Sequence, residues 1–338
     1  MHISDRYFAR GREFLGTEVP ILCGGMTWIS DAQLVAAVAN AGGFGCLAGG
    51  NAPADILAAE IERTRVLTDR SFAVNLVTIA PAFPEQLDVL VQLKPRYVVF
   101  AGSFPNARQI ALVKEQGAKV MCFASTLSIA KRMVRYGADA LVLEGMEAGG
   151  HVGHVSLAVL LQQVLFEVED VPVFVAGGIS TGRMCAHMFL MGAAGVQLGT
   201  RFAVATESCA HPAFKEKFRK ANARDAVSTP QFDSRLPVVA VRALRNGGLD
   251  EFARLQLDLI AKLDAGELHR EEAQMEVERF WMGALRRAVR DGDVAQGSLM
   301  AGQSVGLVNR EESVGEIIAD LRAGIESTLQ DVRAKLLG

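Results

Sequence analysis

Eight short apolar runs, each followed by a longer helical pattern, occupy the sequence from about residue 20 to residue 200. Such alternation is typical of repeated β-α units around a parallel sheet. The runs are rich in Val, Ile, Leu and Phe, as expected of strands that are buried on both faces. We place the eight strands at Pro20–Cys23, Phe44–Leu47, Phe72–Leu76, Tyr97–Phe100, Lys119–Phe123, Ala140–Glu144, Val173–Ala176 and Gly195–Leu198. Eight units predict an α/β fold, a closed (β/α)8 TIM barrel with a C-terminal helical extension.

Amphipathic patterns between the runs predict the outer helices, and several begin at an Asp, Asn or Thr that suits an N-cap. They cover Asp31–Ala41, Ala54–Leu67, Asn106–Gln116, Thr126–Tyr136 and Thr181–Met191. Beyond the eighth strand, helical patterns at Leu249–Ala265 and Glu272–Arg290 precede a Gly-rich loop, Gly297–Gln303. We therefore divide the chain into an N-terminal segment (1–19), the barrel (20–224), a helical extension with the Gly-rich active-site loop (225–312) and a C-terminal helix (313–338).

The bulk composition narrows the class of ligand. Of the 338 residues, 50% are hydrophobic and 22% charged, which is a globular composition, and an α/β barrel takes about 250 residues as one domain. The formal net charge of −3 gives no reason to expect nucleic acid or a membrane surface as a partner, so a small molecule is the default ligand. The sequence contains no export signal, membrane-spanning run or metal-binding motif. Its five cysteines lack a C-x-x-C pair, which favours free thiols in the cytoplasm.

Glycines follow three of the predicted strands. They occur in Gly24-Gly25-Met26 after the first, in Gly177-Gly178 after the seventh and in Gly199-Thr200 after the eighth. Ligands of barrel enzymes bind at the C-terminal ends of the strands, and the loops after strands seven and eight form the usual phosphate site. Any single pair could serve only a tight β-α turn. Because glycines occur at both expected loops, where they let the backbone approach phosphate oxygens closely, we predict phosphate binding.

The segment Glu144–Gly153, after the sixth strand, contains four glycines around Glu147 and His151. Ordering so much glycine is entropically unfavourable, which indicates that something approaches this backbone closely. An imidazole, with an ordinary pKa near 6.5, suits general acid–base chemistry at neutral pH. We therefore predict that His151 is catalytic; the alternative is a histidine hydrogen-bonded for loop stability. We expect His154 to have an ordinary surface role.

Two further polar residues end predicted strands. Asn75, in the third strand, could hydrogen-bond a planar heterocycle or cap a turn at the strand end. Glu144, in the sixth, could hold a cofactor hydroxyl or ring nitrogen, or bind loop amides. The run Gly43–Ala48 fits the dinucleotide pattern G-x-G-x-x-G/A, but it passes through a predicted strand instead of following one into a helix, so we reject a Rossmann interpretation.

With these motifs in view, the chain resembles the nitronate monooxygenase (2-nitropropane dioxygenase) family and, within it, the FMN-containing enoyl-acyl-carrier-protein reductase II group. The resemblance covers nearly the whole chain and is carried by Pro20–Met26, Gly49–Pro53, Ala130–Met133, Glu144–Gly153, Ala176–Ile179, Gln197–Phe202, His211-Pro212, Val241–Ala243 and Gly297–Gly302. It implies His151 as the catalytic residue and an FMN cofactor lined by Gly24, Gly25, Met26, Asn75, Glu144, Gly150, Gly177, Gly178, Gly199 and Thr200. The sequence departs from the reductase group at Phe100–Pro105 and Ser228–Val239, segments expected near the substrate, which leaves the substrate open.

Three functions follow from the resemblance. The favoured one is reduction of enoyl thioesters with NADH or NADPH, with His151 assisting protonation of the enolate. The second is oxidation of alkyl nitronates with O2, with His151 as base and no pyridine nucleotide. The third is flavin binding without turnover, against which His151 in its Gly-rich frame argues. A thioester carried on an acyl carrier protein could dock on the basic segment Lys215–Arg224, although a solvated charged face is the favoured interpretation of that segment. A homodimer is a further expectation.

Overall fold

The computed structural model describes residues 2–236 and 240–337, and its eight parallel barrel strands pair in sequence order, with the last closing onto the first. The strands span Ile21–Cys23, Phe44–Ala48, Phe72–Val77, Tyr97–Ala101, Lys119–Ala124, Ala140–Glu144, Val173–Ala176 and Gly195–Leu198. The predicted (β/α)8 TIM barrel is confirmed, and each strand lies where its apolar run predicted it. The match to the dinucleotide pattern, Gly43–Ala48, indeed passes through the second strand.

Helices follow the strands around the outside of the barrel. They span Ala32–Asn40, Ala54–Leu67, Phe83–Leu93, Ala107–Lys114, Leu127–Arg135, Leu157–Leu160 with a π-helical continuation Leu161–Leu165, Gly182–Leu190, Thr200–Ala203 and Pro212–Arg219. Four begin at the predicted caps, because the side chains of Asp31, Asn106, Thr126 and Thr181 each accept a hydrogen bond from a backbone N–H in the first turn. These bonds satisfy donors that the helix cannot pair internally.

Alternate strand residues face the inside of the barrel and fill it from the N-terminal end. This interior cluster consists of Leu22, Phe44, Cys46, Ala73, Tyr97, Val99, Met121, Ala140, Val142, Phe174 and Ala176, with Phe14, Leu15 and Ala194 at its base. Phe14 belongs to an N-terminal helix, Ser4–Leu15, and its carbonyl accepts hydrogen bonds from Tyr97 Oη and Lys119 Nζ, both at 2.8 Å. Because this helix closes the N-terminal end, a ligand can enter only from the opposite mouth.

The C-terminal helix, Val314–Leu337, packs against Gly182–Leu190 and Ala32–Asn40, the helices that follow the seventh and first strands. It therefore occupies the place of the eighth outer helix of the barrel. The Arg201 guanidinium fixes this arrangement, because it donates to Glu312 at 3.1 Å and to Asp320 at 2.8 Å. Both carboxylates lie in the C-terminal part of the chain, far from Arg201 in sequence.

Residues 225–312 contain short strands in addition to the expected helices and Gly-rich loop. Strands Ala226–Ser228 and Val241–Leu244 form a small antiparallel sheet with Gly150–His151, and single 3-10 turns lie at Ala223–Asp225 and Gln303–Leu307. The helices Gly247–Asp264 and Arg270–Arg286, the second continued by a π turn at Arg287–Asp291, form a hairpin with its own core. Of the stretch Ser228–Val239, residues 237–239 lie outside the described part of the chain.

No helix in the described ranges has both the length and the apolarity needed to cross a membrane. All five cysteines are free, and four of them, Cys23, Cys46, Cys122 and Cys185, are buried. Burial raises the pKa of these thiols because it disfavours the thiolate. Such cysteines act as small apolar side chains in the core.

Candidate active site

A pocket opens at the C-terminal mouth of the barrel and encloses about 1150 Å³, counted out to the solvent at its entrance. Its lining includes every site residue that the sequence predicted: Gly24, Gly25, Met26, Asn75, Glu144, Gly150, His151, Gly177, Gly178, Gly199 and Thr200. These residues come from five separate β-α junctions. Their convergence is a consequence of the parallel barrel, in which all strands end at the same mouth.

The floor of the pocket is the last inward-facing layer of the barrel. Asn75, Glu144, Ala176 and Gln197 belong to it, and neighbouring strands place Ala176 between Glu144 and Gln197. Asn75 lies within the third strand and its Nδ2 donates to the Val99 carbonyl at 3.3 Å, so it is not a turn cap. Gln197 was missed by the sequence analysis. Its signal is a polar residue at an inward position of an otherwise apolar strand.

Two glycine loops, Gly177–Gly178 and Gly199–Thr200, line the pocket. Gly177 and Gly178 have φ values of 101° and 69°, a left-handed conformation that disfavours side chains. Gly199 precedes the short helix Thr200–Ala203, and no side chain caps the first turn of that helix. A Cβ added at Gly199 would have Met26 Sδ as its nearest neighbour, 3.5 Å away. The N–H groups in these loops are therefore suited to receive an anionic group.

His151 lies in a strand and not in a free loop. Gly150 and His151 pair with Arg242 and Val241 of the small sheet, and the Val152 N–H donates to the Ala240 carbonyl at 2.8 Å. The pairing fixes the backbone on both sides of the imidazole. A two-residue strand whose partner lies about 90 residues away leaves no periodic pattern, which explains why the sequence analysis did not identify it.

The Gly-rich loop after residue 296 forms one wall of the pocket. The Gly302 N–H donates to Thr200 Oγ1 at 3.1 Å, and the Gln303 N–H donates to the Glu147 carbonyl at 2.9 Å. The loop approaches Gly149 so closely that an added Cβ there would lie 2.5 Å from the Ala301 carbonyl carbon. This contact gives a physical reason for glycine in the Glu144–Gly153 segment.

Apolar side chains line the rest of the pocket. Val77 and Phe123 come from barrel strands, Leu285 from the helical hairpin and Met300 from the Gly-rich loop. None of these four was a predicted site residue, because nothing in an isolated apolar residue distinguishes a pocket wall from the core. Together they give the pocket that contains His151 an apolar surface.

Burial changes the protonation of the two ionisable side chains in the lining. Both are partly accessible from the pocket, yet both lie away from bulk water. Desolvation raises the pKa of Glu144 to about 8 and lowers the pKa of His151 to about 4, because burial disfavours the charged form of each. At pH 7 the carboxyl group is therefore mainly protonated and the imidazole neutral.

His154 and Lys215, which the sequence placed outside the predicted cofactor site, both lie away from the pocket. His154 is exposed and does not line the pocket, as expected of an ordinary surface histidine. Lys215 is only 6% exposed, and its Nζ donates to the Ala205 carbonyl at 2.7 Å and to Glu311 at 3.0 Å. Lys215 is therefore part of the structure and is not available to a docking partner.

The arrangement fits a planar heterocycle that carries one phosphate group. Neutral donors and acceptors on Asn75, Glu144, Gln197 and His151 can hydrogen-bond an uncharged ring system, while the two glycine loops offer an anion site without a cationic side chain. Among the described residues, no group of three or more His, Cys, Asp or Glu is placed to hold a metal ion.

Comparisons with known proteins agree with this architecture. A sequence model of the nitronate monooxygenase family matches residues 10–87 and 77–324. The chain is 32% identical to the (3aS,4S,5R,7aS)-5-hydroxy-7a-methyl-1-oxo-octahydro-1H-indene-4-carboxyl-CoA dehydrogenase of Mycobacterium tuberculosis, with 95% of this chain and 97% of that protein covered. It is 28% identical to a nitronate monooxygenase of Paraburkholderia phytofirmans, over 94% and 95% of the two chains. Among solved structures, FabK from Thermotoga maritima has a TM-score of 0.85 and 36% identity, over 96% and 98%.

Proposed function

The chain belongs to the nitronate monooxygenase family and is an oxidoreductase, and we propose that it uses FMN and NADH or NADPH to reduce the carbon–carbon double bond of an enoyl thioester. The thioester is a small molecule such as an acyl-CoA, or the acyl group of a carrier protein. The apolar side chains of Phe123, Leu285 and Met300, which line the same pocket as His151, carry this proposal. They provide a place for an uncharged acyl chain in the same pocket as a group that can move a proton.

The similarity to relatives supports a thioester substrate. The Mycobacterium tuberculosis relative is named for a carboxyl-CoA compound, and it aligns with nearly the whole of this chain. The resemblance to the enoyl-acyl-carrier-protein reductase II group points to the same chemical class. Because substrate loops vary more than the barrel within a family, the similarity supports the class and leaves the acyl group to experiment.

We assign the FMN phosphate to the two glycine loops at Gly177–Gly178 and Gly199–Thr200. The remaining predicted residues would surround the ring system and its polyol chain: Gly24, Gly25, Met26, Asn75, Glu144 and Gly150. Gln197 joins this set because it shares the floor of the pocket with Glu144. Bound FMN supplies the ability to accept and donate a hydride, which no amino-acid side chain provides.

The protein residues orient the substrate and handle protons. His151, neutral at pH 7, can donate a ring N–H hydrogen bond to the thioester oxygen as negative charge develops there. Glu144 keeps a proton on its carboxyl group near neutral pH, so it adds no negative charge to the pocket. Leu285 and Met300 contribute apolar surface to the pocket lining, which would reduce the access of water to a bound substrate.

A second candidate is the oxidation of alkyl nitronates. The relative of Paraburkholderia phytofirmans, which aligns over 94% of this chain, favours it. Against it stands the charge of the substrate, because a nitronate is an anion and no Lys or Arg is found among the described residues that line the pocket. The main-chain donors of the two glycine loops, which we assign to the FMN phosphate, would not be free for the nitronate, so its charge would be buried without a partner. Flavin binding without turnover has no support from the named relatives.

Anaerobic stopped-flow spectroscopy separates the two candidates. We expect NADH or NADPH to bleach the flavin rapidly, and crotonyl or longer enoyl thioesters to restore its colour. The nitronate alternative requires bleaching by alkyl nitronates, slow or absent reaction with pyridine nucleotides, and recolouring by oxygen. Fast reduction by nitronates together with inert NADH and NADPH would refute the enoyl-reductase proposal.

A further inference from the structure

Arg242 is buried beneath the segment that carries His151 and makes an unusual set of contacts. Its side chain is 4% exposed. The guanidinium donates from Nε to the Met146 carbonyl at 2.9 Å and from Nη1 to the Ala226 carbonyl at 2.6 Å. Burying a cation is unfavourable unless its donors are satisfied. The presence of an arginine at this buried position therefore indicates a role other than filling space.

The two carbonyls belong to different parts of the molecule. Met146 lies in the Glu144–Gly153 segment at the mouth of the barrel, and Ala226 begins the outer strand of the small sheet. Arg242 itself pairs with Gly150 in that sheet, next to the pair of Val241 and His151. The guanidinium and the main-chain ladder therefore hold the segment at two points, one on each side of Glu147–Gly149.

The segment needs such a clamp because its own structure is weak. A two-residue strand contributes little stability alone, and the glycines of the segment lose much conformational freedom when they are ordered. Burial lowers the pKa of Arg242 and the nearby Glu147 carboxylate opposes that shift, but an arginine stays protonated at any working pH. The fork of the guanidinium can serve two carbonyls at once, whereas a lysine ammonium on a flexible stem cannot reproduce that geometry.

We propose that Arg242 is a positioning residue for His151, acting by joining the Met146 and Ala226 carbonyls so that the imidazole is held within the pocket. The proposal rests on the assigned role of His151 in turnover. Arg242 does not line the pocket, so it has no direct part in binding substrate or cofactor. Its effect is transmitted through the backbone between Met146 and His151.

The protonation of His151 reports its position. Among the described residues that line the pocket with the imidazole, the other ionisable side chain is that of Glu144, on the sixth strand; Glu147 and His154 lie on the same segment as His151, and Arg242 lies on the paired strand. Desolvation keeps the pKa of His151 near 4. If the two hydrogen bonds of Arg242 are lost and water reaches the ring, the pKa of His151 should rise toward 6.5. The acid limb of the pH profile of kcat, which is the fall in kcat toward low pH, should then move to higher pH.

The test compares Arg242→Met and Arg242→Lys holoenzymes with Lys215→Met. Lys215 is a matched control, because it is also a buried cation that donates to main-chain carbonyls, away from the pocket. We expect Arg242→Met to retain FMN, to lower kcat about 10- to 100-fold with little change in KM for the pyridine nucleotide, and to shift the acid limb upward; misplacing a reacting group by about 1 Å has an effect of this size. Arg242→Lys should lie between this variant and the wild type.

Lys215→Met should lower Tm and leave kcat and the acid limb unchanged. The proposal is wrong if Arg242→Met stays within threefold of wild-type kcat, or if its acid limb does not move. If Arg242→Met does not fold, kcat and the pH of the acid limb are measured on Arg242→Lys instead, and the same two criteria apply to that variant. A loss of turnover in His151→Ala without any effect of Arg242 substitution would refute this inference alone, whereas full turnover in His151→Ala would refute the assigned role of the histidine.

Discussion

The two ionisable residues of the pocket are shifted in opposite directions by the same cause. Desolvation favours the neutral form of both, so Glu144 behaves as a weaker acid and His151 as a weaker base than in water. A pocket that is neutral in this way suits an uncharged ring and an acyl chain. Opposed shifts of this kind are common where acid and base roles are divided between neighbouring groups.

Replacing His151 by Ala should abolish turnover and leave the flavin bound, since the phosphate loops and the floor of the pocket do not depend on the imidazole. A positioned group that transfers a proton contributes about 10²–10⁴-fold to the rate. Steady-state kcat and the flavin absorbance of the purified variant check this. His187→Ala is the control, because His187 is exposed and bonds only its own helix through the Arg183 carbonyl. A loss of less than threefold in His151→Ala would make the histidine structural.

The raised pKa of Glu144 predicts a pH-dependent stability. An acid whose pKa rises from 4.5 to about 8 on folding stabilises the fold at low pH and loses that contribution as the pH rises through this window. Glu144→Gln removes the titration. In the flavin-free protein, Tm of the variant minus Tm of the wild type should therefore be more positive at pH 8 than at pH 5. A difference that does not vary with pH would mean that Glu144 is not desolvated.

At the scale of elements, continuous apolar runs were sufficient to predict all eight barrel strands, because a strand buried on both faces leaves an uninterrupted signal. The small antiparallel sheet left no such signal in the sequence. Its strands Gly150–His151 and Val241–Leu244 have two and four residues, and they pair across a long stretch of sequence. The position of the C-terminal helix was equally hidden, because only tertiary packing places Val314–Leu337 beside Gly182–Leu190.

The candidate site was predicted more fully than the small sheet, for a physical reason. Glycines that recur at the two loops of the usual barrel phosphate site, together with polar residues at strand ends, are more informative than any one of them alone. Leu285 and Met300 were missed because apolar residues serve cores and pockets alike. The charge pattern of Lys215–Arg224 predicted a solvated face, but Lys215 is buried. Its ammonium donates to the Ala205 carbonyl, a contact that the sequence does not reveal.

The phosphate loop can be tested by Gly178→Asp, with Gly192→Asp as the control. Both glycines have a positive φ, 69° and 104°, so a side chain strains the backbone at either position. Only Gly178 lines the pocket, where the new carboxylate would face the phosphate. We expect Gly178→Asp to be purified without flavin and Gly192→Asp with a full complement, measured as the ratio of absorbance at 450 and 280 nm. Undiminished flavin in Gly178→Asp would place the phosphate elsewhere.

At the scale of the whole molecule, the barrel and its additions have different tasks. The N-terminal helix closes one end through Phe14, and the strands fill the interior up to the floor formed by Asn75, Glu144 and Gln197. The small sheet and the Gly-rich loop then hold His151 above this floor. The helical hairpin completes the wall through Leu285. Because the additions contribute the apolar wall, they are where we expect relatives with the same barrel to differ in substrate.

A pocket with this lining should hold one FMN. The most direct measurement is the identity and stoichiometry of the flavin released by heat from the purified protein, determined by chromatography against FMN and FAD standards. We predict a yellow protein with one FMN per chain and no FAD, since the glycine loops provide one phosphate site and the described residues form no dinucleotide-binding fold beside the barrel. A colourless protein that cannot be reconstituted with FMN, or one that releases FAD, would contradict the account.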